Sequence, residues 1–297
     1  MEYELYHDES QVDGYWHGML LVPNGSKSQI LALMGQAREH TAFLTPISFK
    51  GVRHDRGPKY DLAQSWLSVS VAALRARAGN GSTVMTLGRD AEGKLVYKGF
   101  SGAPKCKFVL FRERDAHRRM SGHLDHASKI ETTFRIGLKG GLHMLGSAAA
   151  PISITKLHFD GHEHYRRHVD RERILSRLKG LRHYCSVAAG EEVIDDRSSD
   201  HRRSDAQPYD DCQLLQLTDL VVGACHTILC GGEGRHRSLA APVAELVAKY
   251  REGPARMANS RWKDAFCMSQ CFLEDGQWCF ACLEPVSDGR AAEPRLL

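Results

Sequence analysis

Three aspartates stand where a folded chain can hold a carboxylate away from bulk water. Asp8 ends an alternating stretch, residues 3–9, in which Tyr3, Leu5 and His7 take one side and Glu4, Tyr6 and Asp8 the other. Asp160 ends the apolar run ISITKLHFDG, with Ile154 and His158 on its side and Leu157 and Phe159 on the opposite one. Asp219 lies in DCQLLQLTDLVVGAC, residues 211–225. Set at 100° per residue, the leucines and valines of that stretch nearly surround a helix axis, leaving a narrow polar stripe of Gln216, Asp219, Gly223 and His226. A helix apolar around most of its circumference is buried, and a buried carboxylate needs a partner, a metal or an opening to water. Glu9 follows Asp8, and Asp195 and Asp196 end a further β-like piece. Strand-terminal carboxylates closed over by a helix carboxylate suit hard divalent cations such as Mg²⁺ or Mn²⁺, which take oxygen ligands. Two such ions about 4 Å apart activate water and stabilise the leaving oxygen of a phosphodiester. Each position alone has a plainer reading, because Asp is common at strand ends as a turn former and a single polar residue on a core helix can face a solvent slot.

Basic residues are the second element of such chemistry. HEHYRRHVDRERILSRLKG, just after Asp160, reads as a charged helix carrying Arg166, Arg167, Arg171, Arg173, Arg177 and Lys179. Arg166, Arg167 and Arg171 are the candidate nucleic-acid contacts; Asp170 and Glu172 allow the alternative of a solvated face held by local ion pairs. Lys50, His54, Asp55, Arg56 and Lys59 share a loop-like stretch, and Arg235 and Arg237 follow the Asp219 helix. His158, His162, His164 and His168 cluster around Asp160, two of them one helical turn apart, as zinc ligands or a proton shuttle can be. Cys267, Cys271, Cys279 and Cys282 flank a turn at knuckle-like spacing, yet each pair sits in an alternating apolar stretch, where a thiol packs as a small hydrophobe. No phosphate-cradling glycine loop, nucleophile elbow or dinucleotide fingerprint is present.

The elements that must position these groups follow from periodicity. Residues 3–9 and YWHGMLLVP form a hairpin, and a helix covers about Gln29 to Glu39. Asp61 caps a helix with Leu62, Trp66, Val69 and Ala73 on one face. A hairpin turns at Asp90–Gly93, and CKFVLFRER is a central strand. Residues 117–145 are helical with a break at Gly140-Gly141. HYCSVAA and EEVID are short strands; GGEGRHRS is a flexible link before the helix APVAELVAKYREG; the chain closes on a hairpin turning at Glu274–Gly276. The expected fold is α/β, with residues 1–230 forming the main domain and residues 231–297 a linker, helix and hairpin packed on it. Forty Lys and Arg against thirty-six Asp and Glu give a formal charge of +4, too small to argue by itself for a polyanionic partner. Nine cysteines, an odd number, without a secretory signal pattern point to a reducing, cytoplasmic setting, and no uninterrupted apolar run reaches membrane-spanning length.

Two short motifs carry a resemblance. Asp8-Glu9-Ser10 resembles the D-E-S signature of the family known as domain of unknown function 3800, and residues 215–224, LQLTDLVVGA, resemble its L-Q-x-A-D-x-x-x-G-A helix. Phe159-Asp160 matches that family's acid-ended strand, and Asp195-Asp196 stands where the family carries Asp-Ser. The resemblance implies a ribonuclease H-like fold and a metal-dependent nuclease, with Asp8, Asp160 and Asp219 holding Mg²⁺ or Mn²⁺, Glu9 and Asp196 as additional catalytic candidates, and a nucleic acid as substrate. One departure stands out. Where many members carry an acid in an E-I-K-like motif, this chain has Ser48-Phe49-Lys50. Either Asp55 or Asp61 substitutes, or the site is altered, and the chain is then a nucleic-acid- or protein-binding module of the same fold.

Overall fold

A computed structural model describes residues 1–10, 14–75, 86–89, 95–98, 105–114, 126–146, 151–160, 185–187, 193–196, 209–232, 234–253, 264–274 and 277–283. Arg166, Arg167 and Arg171, with His162, His164 and His168, lie outside these residues.

The strands are β1 (Glu2–Ser10), β2 (Tyr15–Pro23), β3 (Thr86–Arg89), β4 (Leu95–Lys98), β5 (Lys107–Glu113), β6 (Ile152–Asp160), β7 (Cys185–Val187), β8 (Val193–Asp196), β9 (Phe266–Glu274) and β10 (Gln277–Cys282). The helices are α1 (Lys27–Thr41), α2 (Pro58–Leu74), α3 (His126–Leu145), α4 (Tyr209–Leu229) and α5 (Gly234–Arg251). The architecture is α/β. One mixed eight-stranded sheet runs β10-β9-β5-β2-β1-β6-β7, with β8 also on β6, and β3 and β4 form a separate ribbon. β1 is antiparallel to β2, and β2 to β5, while β6 runs parallel to β1 and carries β7 and β8 in the same direction. The C-terminal hairpin joins this sheet through β9, parallel to β5, so residues beyond 230 extend the main sheet.

The initial hairpin, the central strand at 107–113, the two short strands and the final hairpin are where periodicity puts them. Three local expectations are corrected. α3 runs unbroken through Gly140-Gly141, because Gly141 faces the sheet: a Cβ there would come 2.4 Å from Val109 Cγ2, so the glycine serves close packing instead of a stop. α2 begins at Pro58, before Asp61, with Pro preset for the first helical turn and Gly57 at φ 95 ahead of it. α5 begins at Gly234, so most of the supposed link is helical. Pro242 inside α5 has no N–H for the Ser238 carbonyl, and that carbonyl instead accepts from Gln64 Nε2 at 2.7 Å.

α4 packs on one sheet face against β1, β2 and β6, with α1, α2 and α5 around it; α3 covers β5 and β9 on the other face. By length and composition α4 alone among the described helices could cross a membrane, but its apolar surface is spent in the core.

Candidate metal centre

β1 presents Glu4, Tyr6 and Asp8 to α4, and α4 presents Asp211 and Asp219 to β1. The eight residues from Asp211 to Asp219 rise about 12 Å in a helix, and the four from Glu4 to Asp8 span about 13 Å in a strand. The two spacings match, so one helix–strand crossing holds two acid pairs: Glu4 with Asp211, and Asp8 with Asp219. Glycine permits the close approach. Gly18 is Asp8's ladder partner on β2, and a Cβ there would lie 2.0 Å from Val222 Cγ2 on α4. Gly223, one turn after Asp219, faces the Phe49 ring, 2.3 Å from where its Cβ would be.

The first pair is bridged by a cation from within. Lys27 Nζ, on α1, donates to Glu4 Oε2 at 2.7 Å and to Asp211 Oδ1 at 2.6 Å. Tyr6 Oη lies 2.8 Å from Glu4 Oε2 and 2.7 Å from Asp211 Oδ1, and His158 Nε2 lies 3.0 Å from Glu4 Oε2. Burial pushes the Glu4 carboxyl upward, but the bonds from His158, Lys27 and Tyr6 outweigh it and hold Glu4 well below the usual range. Burial beside the two acids drives the Tyr6 phenol far up. Glu4, His158 and Asp211 bring three ligand atoms within 4.8 Å of one another, the only described group to do so. The Lys27 ammonium bonds both of its carboxylates, standing where a cation would. His158 therefore belongs to this network and not to a proton shuttle at Asp160.

Among the described residues, no lysine or arginine bonds the second pair in this way. Asp8 is buried, and its Oδ2 has no hydrogen-bond partner among the described residues. Burial first, then the charges of Asp219, Asp160 and Glu9, drive its carboxyl well above the ordinary range. Asp219 Oδ2 accepts the Phe49 backbone N–H at 2.6 Å. Its carboxyl is pushed up to about 6 by burial, with Asp160 adding to the rise and the Phe49 N–H and Lys50 opposing it. Asp160 is brought to this pair by register: His7 pairs with Phe159 across β1 and β6, so Asp8 and Asp160 follow side by side at the carboxyl ends of neighbouring strands. β8 then places Asp196 opposite Asp160 and Asp195 opposite Phe159. Asp8, Asp160 and Asp196 thus stand in sequence on three adjacent strands, with Asp219 reaching from α4.

Comparison of the chain with protein-family models, curated proteins and solved structures finds no match. The reading of this centre therefore stands on its own geometry. It lies at the carboxyl ends of the neighbouring parallel strands β1 and β6.

Sequence reasoning missed what orders Asp219. The loop 43–50 is strapped along the polar stripe of α4. Gln216 Oε1 accepts the Ile47 N–H at 3.0 Å and Arg38 at 3.0 Å, and Asp219 accepts the Phe49 N–H. Arg38 is buried; it also donates to Gln213 Oε1 at 2.9 Å and to the carbonyls of Phe43 and Thr45 at 3.0 Å, with its guanidinium 4.5 Å from the Trp66 ring. Ser48-Phe49-Lys50 thus brings a backbone amide and a cation to the centre instead of a carboxylate. Asp55 and Asp61 are exposed, and neither is among the charges acting on Asp8 or Asp219. The signal was present in Gln216, a polar residue on the same stripe as Asp219.

The cysteine hairpin does not converge. Cys267 and Cys271 share one face of β9 and are buried, whereas Cys279 pairs with Phe272 and so faces the other side, half-buried. Cys279 is thus on the opposite face from Cys267 and Cys271, which suits thiols packed as small hydrophobes.

Proposed function

We propose that the chain is a divalent-metal-dependent hydrolase of nucleic-acid phosphodiester bonds, with Asp8, Asp160 and Asp219 as the ligands of Mg²⁺ or Mn²⁺. Glu9 and Asp196 are the further acids at its margin. One observation carries the reading: Asp8 Oδ2 is buried without a partner between two other carboxylates, while the equally buried Glu4–Asp211 pair is bridged by Lys27. An all-oxygen donor set fits a hard cation, and the orphaned oxygen fits a ligand from outside the chain. The mixed sheet, with β6 and β8 parallel to β1 beside the antiparallel β1–β2–β5 meander, is compatible with a ribonuclease H-like fold and supports the resemblance of the Asp8 and Asp219 motifs.

A divalent cation held there would supply an activated water and stabilise the leaving oxygen of the phosphodiester. The chain's own residues do the rest. Arg38 and Gln216 fix the 43–50 loop, and the Phe49 N–H fixes one oxygen of Asp219, whose carboxylate acts on Asp8 and is acted on by Asp160. Lys50 sets a positive charge beside Asp219.

The test is cleavage of labelled single- and double-stranded DNA and RNA with Mg²⁺ or Mn²⁺, with and without EDTA, for wild type and Asp219→Asn. Metal-dependent cleavage lost in the variant is expected. Undiminished cleavage in excess EDTA removes the proposal, and binding without cleavage on every substrate moves the chain to the binding-module reading.

A further inference from the structure

The described surface beside the carboxylate centre carries cations without acidic partners. Lys50, Arg53, Arg56 and Lys59 lie on the loop after α1 and the first turn of α2, and Arg235 and Arg237 on the first turn of α5; all are exposed except Lys59, which is half-buried with its Nζ 5.9 Å from the Phe43 ring centroid. Among the described residues, none of the six is in an ion pair within 4.0 Å. Asp55 and Asp61 are the acids of the same stretches, also exposed. Charged residues on folded surfaces are usually interspersed with the opposite sign. Here they are gathered on two segments.

Those two segments are fastened to each other and to Asp219. The Phe49 ring stacks on the His236 ring with centroids 5.4 Å apart and an interplanar angle of 30°. Tyr60 Oη lies 2.6 Å from Ser238 Oγ, and Gln64 Nε2 donates to the Ser238 carbonyl at 2.7 Å, the acceptor that Pro242 leaves open. The residue whose ring touches His236 is the one whose N–H holds Asp219.

We infer that loop 50–59 and the first turn of α5 form the track for the phosphate backbone of a nucleic-acid strand leading to the carboxylate centre. The substrate class rests on the nuclease reading above; the track itself is set by the unpaired cations and the clasp at Phe49–His236. It differs from the contact surface expected at Arg166, Arg167 and Arg171. A phosphate every few ångströms along the strand meets Lys50 at the centre, then the arginines of the loop and of α5. Binding by such a track is electrostatic and indifferent to base identity.

The experiment measures binding, not cleavage. A 5′-fluorescein-labelled 20-mer of single-stranded DNA, its RNA counterpart and a DNA duplex are titrated with the full chain in EDTA, by anisotropy, across a series of KCl concentrations. Arg235→Gln with Arg237→Gln should reduce the slope of log Kobs against log[KCl] by about 1.4 to 1.8, at 0.7 to 0.9 per lost phosphate contact. Arg53→Gln with Lys59→Gln should do the same. Lys249→Gln, near the far end of α5, should leave the slope unchanged, as Lys249 is paired with Glu252. Unchanged melting temperatures confirm that the substitutions leave the fold intact. A wild type that binds none of the three probes overturns the inference, as does an unaltered salt slope in both double variants. The two proposals separate cleanly: a chain that binds through the track but cleaves nothing keeps this inference and loses the nuclease, and a chain that cleaves with unaltered slopes does the reverse.

Discussion

Asp219→Asn in metal-free protein is the sharpest probe of the centre, because the direction of its effect is opposite to that of most buried polar substitutions. Burial and Asp160 push the Asp219 carboxyl from 3.8 up to about 6. At 1.36 kcal/mol per pKa unit, holding it ionised at neutral pH costs the native state on the order of 2–3 kcal/mol. Asn removes the charge and keeps an oxygen for the Phe49 N–H. For a chain of this size about 2 °C accompanies each kcal/mol, so the variant should melt roughly 4–6 °C above wild type in EDTA at pH 7.5. The sign with pH follows from linkage. A carboxyl raised on folding contributes stability that is present below about pH 4 and is lost as pH rises through about 6, so the gain should vanish near pH 4 and reach its full value above pH 7. Divalent metal should close the gap at 100 times its Kd, where it stabilises the wild type by about 2.7 kcal/mol and the variant much less, and reverse the order at 1,000 times its Kd, where the gain is about 4.1 kcal/mol. Asp219→Ala separates charge from hydrogen bonding: it leaves the Phe49 N–H without its acceptor and should lie about 1–3 kcal/mol below Asn. Melting by circular dichroism from pH 4 to 8, with EDTA or MgCl₂, reads all of this. A lower melting temperature for Asp219→Asn in EDTA at pH 7.5 would refute the reasoning and make Asp219 a satisfied acceptor for the strap.

Three further outcomes test the parts around the centre. Lys27→Ala strips the ammonium from two buried carboxylates and should cost about 3–5 kcal/mol by thermal melting, with Zn²⁺ then raising the variant's melting temperature more than the wild type's, because no ammonium then competes for the oxygens of Glu4 and Asp211 beside His158; a variant as stable as wild type contradicts the network. Arg38→Lys should fail to restore what Arg38→Met loses, about 2–4 kcal/mol, because one ammonium cannot reach Gln213, Gln216 and two carbonyls while lying flat on Trp66; full rescue by Lys rules that out. Gly18→Ala should destabilise by about 1–3 kcal/mol and lose most of that penalty in a Val222→Ala background; strict additivity in the double-mutant cycle would show that α4 does not press on Gly18.

Much of the fold was legible because its signals are local. Alternation in residues 3–9 and the apolar run at 107–113 name strands, and the near-complete apolar circumference of α4 names a core helix. The candidate acids were legible for the same reason: each interrupts an otherwise apolar pattern. What was not legible depends on pairs distant in the chain. Lys27 reads as an ordinary helix-start residue until Asp211, 184 positions away, is placed beside it. Gly140-Gly141 reads as a break because sequence cannot show Val109 pressing on the helix. Ser48-Phe49-Lys50 reads as a lost acid, since a backbone N–H leaves no mark in residue type.

The contrast between the two acid pairs decides how the second is read. Both sit on the same crossing of α4 over β1, both are buried, and both face a β6 residue, His158 in one case and Asp160 in the other. Charge alone gives Asp8 a way out, since its raised pKa lets it take a proton. A proton lowers the charge but brings no cation to Asp219 and Asp160, and Oδ2 of the carboxylate has no hydrogen-bond donor among the described residues. Lys27 meets both needs at Glu4 and Asp211, supplying positive charge and donors together. A divalent cation is the external group that does the same for Asp8, because coordination offsets most of the charge of the three carboxylates and occupies Oδ2 in one step.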